Sequence, residues 1–327
     1  MKWSWVGRYL LAVCSAVGVC AVQAGEPALP PALLAQVQNI LRTSETDTAT
    51  VLLVDGLGIS GALRHGSSEC LAAGAAGDGL VALLAMRLAE QGKVDLYAPL
   101  PAIKNLASQC KIKLTISHLL EHTSGVSGSS GSSGACSGVQ TIYKETDAKL
   151  AAAALEKSTR TSMARLMQRE LFKPLGMTAS SWGSVKSACR SINPTANTLV
   201  TTPQDMAKVV HMLVQRGQVD GRTYLPQCSV ERMGISVSAV STPGGNTPLA
   251  ISKAQYGFGL ERFDAGGLSW LGYIGTLPGS QWVWAYSSQS QSGMIILLPA
   301  ANAKTLAALK FAVAKHLQQD AVLLTQR

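Results

Sequence analysis

The sequence predicts an α+β fold: an antiparallel sheet flanked by N- and C-terminal helices, with a mostly helical subdomain inserted into it. Three observations point there. A hairpin pattern stands near the start, at 51–65. Amphipathic helical patterns fill 80–215. Three further extended apolar runs and a closing helix follow at 267–318. Strands at both ends of the chain with helices between them bring the two ends into one sheet. The α/β body is therefore expected from about 25–74 and 225–327, and the helical region from about 75–224.

Each element has a local reason. Residues 51–55 are apolar and end in Asp55-Gly56, and 59–65 extend on the far side of that turn, which makes a hairpin. Leu80, Leu83, Leu84 and Leu88 share one face of a helix over 80–91, which Gly92-Lys93 stops. Residues 115–121 form a short helix, and 124–138 are almost all Ser and Gly, a solvated connector. Helices are expected over 147–157 and 162–172, the second ended before Pro174. Thr202-Pro203-Gln204-Asp205 opens another: Thr202 caps it, Pro203 sits in its first turn and Asp205 favours its N-terminus. It runs to about 215. Residues 267–273, 281–287 and 293–298 read as consecutive antiparallel strands between Gly/Ser/Pro turns, and 303–318 as the closing helix.

Residues 1–24 carry Lys2 and Arg8, a short apolar run and then Val22-Gln23-Ala24, the pattern of a cleaved secretory signal. Cleavage after Ala24 leaves 25–327 as one domain-sized unit, and its net charge falls from +9 to +7. No later stretch reaches membrane length, so the product is expected to be periplasmic or secreted. Its basicity is diffuse, which fits an acidic envelope surface and gives no nucleic-acid footprint. Five cysteines remain: Cys70, Cys110, Cys136, Cys189 and Cys228. In an oxidising compartment that implies two disulfides and one thiol, with Cys110–Cys136 and Cys189–Cys228 chosen by proximity. No ligand spacing calls for a metal, and nothing calls for a cofactor.

Four segments in order carry a family resemblance. LLAMRLAEQGKVDL at 83–96, TISHLLEHTSG at 115–125, LFKPLGMT at 171–178 and VTTPQDMA at 200–207 resemble stretches of the serine β-lactamase-related and penicillin-binding proteins. The resemblance covers most of the mature chain and implies the β-lactamase/transpeptidase-like form of the predicted fold. It also implies a structural role for His118 and His122, which lack the glutamate of an HExxH pair.

That family works through Ser-x-x-Lys, Tyr-x-Asn or Ser-x-Asn, and Lys-Thr-Gly or His-x-Gly. Counting back from Gly92-Lys93, the first motif falls on Ala75-Ala76-Gly77-Asp78. Counting back from Pro174, the second falls on Tyr143-Lys144-Glu145. The third resembles 272–279, GYIGTLPG, with Tyr273 at the His or Lys position and Gly275 retained. A methyl group at Ala75 cannot attack a carbonyl, and Asp78 cannot supply lysine's cation. Asp78 and Glu145 are expected to approach, and then to share a proton, bind a cation or be held apart. Ser108-Gln109-Cys110-Lys111 also spells Ser-x-x-Lys but opens no amphipathic helix.

The expectation is an exported pseudoenzyme with no catalytic residue assigned. It would bind a ligand in the family cleft, a cell-wall fragment or an envelope protein. The alternatives are a hydrolase of esterase, peptidase or β-lactamase type rewired around Tyr143, Asp78 and Glu145, or an ordinary acyl-transferase using Ser67, Ser68 or Ser108. Tyr273, Trp282 and Trp284 are expected near the cleft, as lining or as core.

Overall fold

Eight strands form one antiparallel sheet, and its two faces bury two separate cores. The computed structural model describes residues 25–66, 71–72, 74–100, 113–126, 141–183, 198–235, 238–239, 255–277, 280–298 and 302–325. The chain opens with α1 (Pro31–Thr43), β1 (Ala49–Asp55), β2 (Gly58–His65) and β3 (Leu71–Ala72). A 3-10 turn, Gly74–Gly77, runs into α2 (Asp78–Glu90). Then come α3 (Ile116–Leu120), α4 (Glu145–Thr159), α5 (Met163–Leu166), β4 (Ser181–Trp182), β5 (Leu199–Thr201) and α6 (Pro203–Val214). A small hairpin, β6 (Gln218–Val219) and β7 (Arg222–Thr223), precedes α7 (Gln227–Met233). The last part holds β8 (Ser238–Ala239), β9 (Gln255–Tyr256), β10 (Glu261–Ala265), β11 (Leu268–Leu277), β12 (Ser280–Ser287), β13 (Ser292–Leu298) and α8 (Ala303–Thr325).

The sheet order is β2-β1-β13-β12-β11-β10-β9-β8, so the N-terminal hairpin closes onto the C-terminal strands. The joint is β1 against β13, from Thr50 opposite Leu297 to Val54 opposite Gly293. Side chains alternate across a pleated strand, and both faces here are apolar. Val51, Leu53, Val283, Ala285, Met294 and Ile296 enter one core, which α1 covers with Leu33, Val37 and Leu41 and α8 with Leu309 and Val313. Leu52, Val54, Trp282, Trp284, Ile295 and Leu297 enter the other, under α2 and α6. Continuous apolar runs such as 293–298 therefore belong to strands covered on both sides.

The predicted elements stand with shifted ends, and the differences have physical causes. The helix expected over 162–172 is one α-turn, α5, followed by a π-helix, Met167–Phe172. The Lys173 N–H returns to the Gln168 carbonyl ahead of Pro174, which has no N–H to give. In that register the Glu170 carboxylate meets Lys93 Nζ at 2.8 Å, Gln91 Nε2 at 3.1 Å and Arg169 Nε at 2.7 Å. Burial opposes that charge, but the three donors outweigh it and hold Glu170 down at about 2. The helix α8 runs seven residues past the expected 318. The N-terminal helix that the fold class called for is α1, started by Pro31 in its first turn.

The segments that carried the resemblance make these joints. Thr115 Oγ1 accepts the His118 N–H at 3.2 Å and caps α3. Thr202 Oγ1 does the same for Asp205 at 3.2 Å and caps α6. The Asp205 carboxylate, 2% exposed, accepts from the Ala179 N–H and Ser180 Oγ, each at 2.8 Å, and pairs with Lys208 at 2.8 Å. This ties α6 to the turn that follows Met177.

Candidate functional site

The site is assembled around the start of α2. Ala75 lies on the 3-10 turn and Asp78 is the first residue of the helix, where the N-terminal dipole favours an acid. The turn is held from the sheet. Trp284 of β12, fully buried, donates Nε1–H to the Ala76 carbonyl at 2.9 Å. Gly79 makes room for that indole: a Cβ there would lie 2.5 Å from Trp284 Cζ2 and 3.3 Å from Tyr273 Cδ2.

Tyr273 of β11 lies opposite Trp284 in the ladder, so both rings rise on the α2 side of the sheet. Its hydroxyl donates to Asp78 Oδ2 at 3.4 Å. Tyr143, just ahead of α4, brings its phenol next to that of Tyr273. Tyr256 of β9 stacks on Tyr143, with centroids 5.7 Å apart and planes 21° apart. His122 closes the group, 4.8 Å from the Tyr143 ring and 5.0 Å, edge-on, from Tyr256. It has φ of +53°, a strained value for a non-glycine residue. Its Nδ1 lies 3.4 Å from Asp147 Oδ2, and Asp147 Oδ1 accepts Ser124 Oγ–H at 2.7 Å. Tyr273, His122, Ser124 and Asp147 are buried, whereas Asp78 and Tyr143 keep partial exposure.

Electrostatically the cluster is acidic. Burial, followed by the charge of Glu145, pushes the Asp78 carboxyl up to about 7; the Tyr273 hydrogen bond and Lys149 act the other way. Burial also pushes Glu261, at the start of β10, up to about 7, against the pull of Lys310 and of a hydrogen bond from the Ile274 N–H. Tyr143, Tyr256 and Tyr273 are raised, first by burial and then by the neighbouring anions and phenols, so all three hydroxyls stay protonated.

Three of the residues singled out from sequence thus meet: Asp78, Tyr143 and Tyr273, each located from a different segment. Glu145 does not join them by contact. Its carboxylate is two-thirds exposed and pairs with Lys149 at 2.8 Å, so of the three arrangements expected for the acids, they are held apart and interact through space. Gly275 lies two residues along β11 from Tyr273, opposite Trp282. Trp282 and Trp284 are core residues, each at most 1% exposed. Tyr256, Glu261 and the His122–Asp147 pair were not foreseen; they arrive from separate strands and loops with no spacing rule to announce them. His118 is half-buried, and burial lowers its pKa. Among the described residues no three His, Cys, Asp or Glu side chains converge as metal ligands, and no helix is long and apolar enough to cross a membrane. Cys228 is an exposed free thiol on α7; its expected partner Cys189, with Cys70, Cys110, Cys136, Ser67, Ser68, Ser108 and the 1–24 segment, lies outside the described residues.

Chemically the cluster can exchange a proton near neutrality at Asp78 and present phenol hydroxyls and ring faces. By sequence it has neither a hydroxyl at position 75 nor an ammonium at 78.

Comparison with known proteins agrees with this architecture. A family model described as Beta-lactamase matches residues 79–315. The curated proteins give no match. The fold is similar to that of an octameric penicillin-binding protein homologue from Pyrococcus abyssi, with a TM-score of 0.71 and 17% identity over 88% of this chain and 77% of that one. It is similar to a D-amino acid amidase from Ochrobactrum anthropi SV3, at 0.69 and 17% identity over 90% of this chain and 100% of that one. It is also similar to a β-lactamase/D-alanine carboxypeptidase from Pseudomonas syringae, at 0.68 and 15% identity over 87% and 99%. At these identities the likeness is one of fold.

Proposed function

This chain belongs to the Beta-lactamase family, and on that premise we propose that it is an exported member that does not acylate, and that it binds a ligand or an envelope protein through the cluster at Asp78, Tyr143 and Tyr273. The observation that carries this reading is the head of α2. By the count from Gly92-Lys93, Ala75 and Asp78 fall at the Ser-x-x-Lys positions, and Asp78 is hydrogen-bonded to Tyr273 at 3.4 Å. Without a hydroxyl or thiol at position 75 there is no nucleophile to form a covalent intermediate there. With a carboxyl at 78 there is no lysine amine to take a serine's proton and no ammonium to meet an anionic substrate. The pattern of residues 1–24 supports export and a periplasmic or secreted location.

A second reading is favoured by one observation. Asp78, its hydrogen-bond partner Tyr273 and the neighbouring Tyr143 form a chain of polar groups whose carboxyl is pushed up to about 7, the range a general base needs. A hydrolase rewired around that chain would act on amides or esters, and the similarity to proteins described as amidases and a carboxypeptidase supports that choice of bond. Intact-mass spectrometry separates the readings. The purified protein is measured alone and after incubation with a penicillin, an activated ester and a fluorophosphonate, with ester turnover followed in parallel. Non-acylating binding requires an unchanged mass and no turnover. An adduct, mapped by digestion, would name a nucleophile and end that reading; turnover abolished by Asp78→Asn would establish the second one. The unreacted mass reports cleavage after Ala24.

A further inference from the structure

Resting on that reading, we propose that the site takes the ammonium end of an amine, a primary alkylammonium whose nitrogen pairs with the Asp78 carboxylate beside the Tyr143–Tyr256 stack. Among the described residues Asp78 has one hydrogen-bond partner, the Tyr273 hydroxyl at 3.4 Å, a long contact that leaves its acceptor capacity largely unused. The side chain keeps partial exposure, so a ligand can reach it. Among the described residues no cation is ion-paired with it: Lys149 is committed to Glu145 at 2.8 Å, and Lys310 sits over the Phe263 ring at 4.4 Å. Glu145 adds negative charge at Asp78, against the N-terminal dipole of α2 and the charge of Lys149, and the partly exposed Tyr143 places a phenol ring beside it.

The same features exclude other ligand classes. A carboxylate would meet the Asp78 carboxyl with the charge of Glu145 behind it. A metal ion would need several converging ligands, and the described residues bring no three together. An organic ammonium asks for one carboxylate and aromatic surface, which is what stands here. Asp also reaches three methylenes less far than the lysine that the motif position would otherwise carry, so the charge that lysine would bring has to come from the ligand.

The groups facing Asp78 are Glu145 and Lys149 on α4, Tyr143 ahead of it and Tyr273 on β11, with Tyr256 and Glu261 behind them. Because burial and Glu145 push Asp78 up to about 7, amine binding must displace its proton below neutrality. An alkylammonium stays charged to about pH 10, so only the protein's ionisation matters between pH 6 and 8.

Calorimetric titration of the purified full-length protein with three probes on one stem tests this: 2-phenylethylamine, its N-acetyl derivative and 3-phenylpropionate. The expected result is saturable binding of 2-phenylethylamine that tightens by up to about tenfold from pH 6 to 8, with both other probes at least about tenfold weaker. Asp78→Asn should weaken the amine by about tenfold or more and flatten the pH profile. Glu145→Gln, at an exposed position where folding is not at stake, should weaken it by about two- to threefold. No saturable binding at about 10 mM, equal binding of phenylpropionate, or an amine affinity unmoved in both variants each overturns the proposal. Should Asp78→Asn fail to fold, the wild-type pH profile and Glu145→Gln decide. An unchanged mass with no amine binding would sink this inference alone; a covalent adduct would sink the reading beneath it.

Discussion

Gly79 and Trp284 should be energetically coupled, and the size of the coupling follows from the site's packing. In Gly79→Ala the new methyl would stand 2.5 Å from Cζ2 and 3.0 Å from Cη2 of an indole that cannot retreat, because its Nε1 is bonded to Ala76 and it is fully buried. Overpacking of this kind costs about 1–3 kcal/mol, against about 1 kcal/mol gained by putting alanine for glycine in a helix. The net loss is about 0–2 kcal/mol. Trp284→Phe removes the two crowding carbons together with the donor to Ala76; an orphaned buried carbonyl costs about 1–3 kcal/mol, and the lost ring packing adds to it. In the double variant the methyl enters space that the benzo ring has vacated. Gly79→Ala should then be neutral or stabilising, giving a coupling of about 1–3 kcal/mol. Urea unfolding followed by far-ultraviolet circular dichroism measures all four proteins without relying on tryptophan emission. With a slope on the order of 3 kcal/mol per molar urea, the single glycine variant loses up to about 0.7 M in midpoint. If the two changes add to within about 0.5 kcal/mol, the indole does not brace the turn and this account of the site's foundation fails.

Three other perturbations probe the electrostatics. The Glu170 carboxylate is depressed in the fold, so its stabilisation is present above the unfolded value near 4.5 and lost as pH falls toward about 2. Glu170→Gln should cost about 1–2 kcal/mol at pH 7, with the gap closing between pH 5 and 2 in urea melts. Asp78 is raised in the fold, so the sign reverses: its contribution is favourable below the unfolded value of 3.8 and is lost as pH rises through about 7. Asp78→Asn should therefore gain on the order of 1–3 kcal/mol over the wild type at pH 8 and nothing at pH 4; a variant equally or less stable at pH 8 contradicts the burial assigned to this acid. Asp205→Ala should lose about 3–5 kcal/mol, since Lys208, Ser180 and the Ala179 N–H all lose one buried partner, whereas a midpoint within the error of the wild type would mean that water replaces it.

What the sequence made legible was local chemistry. Thr115, Thr202 and Pro203 announce helix starts because a cap acts on the N–H groups two and three residues ahead, within one readable window. The apolar and aromatic run at 281–287, bounded by turn residues, shows a strand in the same local way. The motif positions at 75–78, 143–145 and 273 were found by counting from such windows. The rest of the site had no window. Tyr256 reaches Tyr143 across more than a hundred residues, and His122 meets Asp147 only because α3 and α4 pack together. Glu145 shows a second limit. Counting placed it beside Asp78, but its exposed position on α4 puts Lys149 one turn along as a nearer partner, and a solvated i, i+4 pair avoids the cost of a second buried charge. The π-helix at 167–172 escaped the 3.6-residue pattern because a single wide turn leaves the apolar spacing nearly intact.

The contrast between scaffold and site bears on what the molecule was shaped to do. Along the scaffold, polar groups are satisfied cheaply: caps meet N–H groups, Lys93 meets Glu170 at 2.8 Å and Asp205 is saturated. Around the head of α2 the reverse holds. Asp147 is fully buried with one carboxylate oxygen lacking a hydrogen-bond partner, Asp78 and Glu261 are both raised to about 7, and His122 adopts a left-handed backbone conformation. Each of these lowers the stability of the fold, and apolar side chains of similar size would remove the cost of the buried acids. A raised carboxyl and a buried His–Asp pair gathered in one place single out this cluster as the candidate functional site. On the proposed reading, a carboxyl at position 78, where the motif would carry a lysine, favours ligands of positive charge.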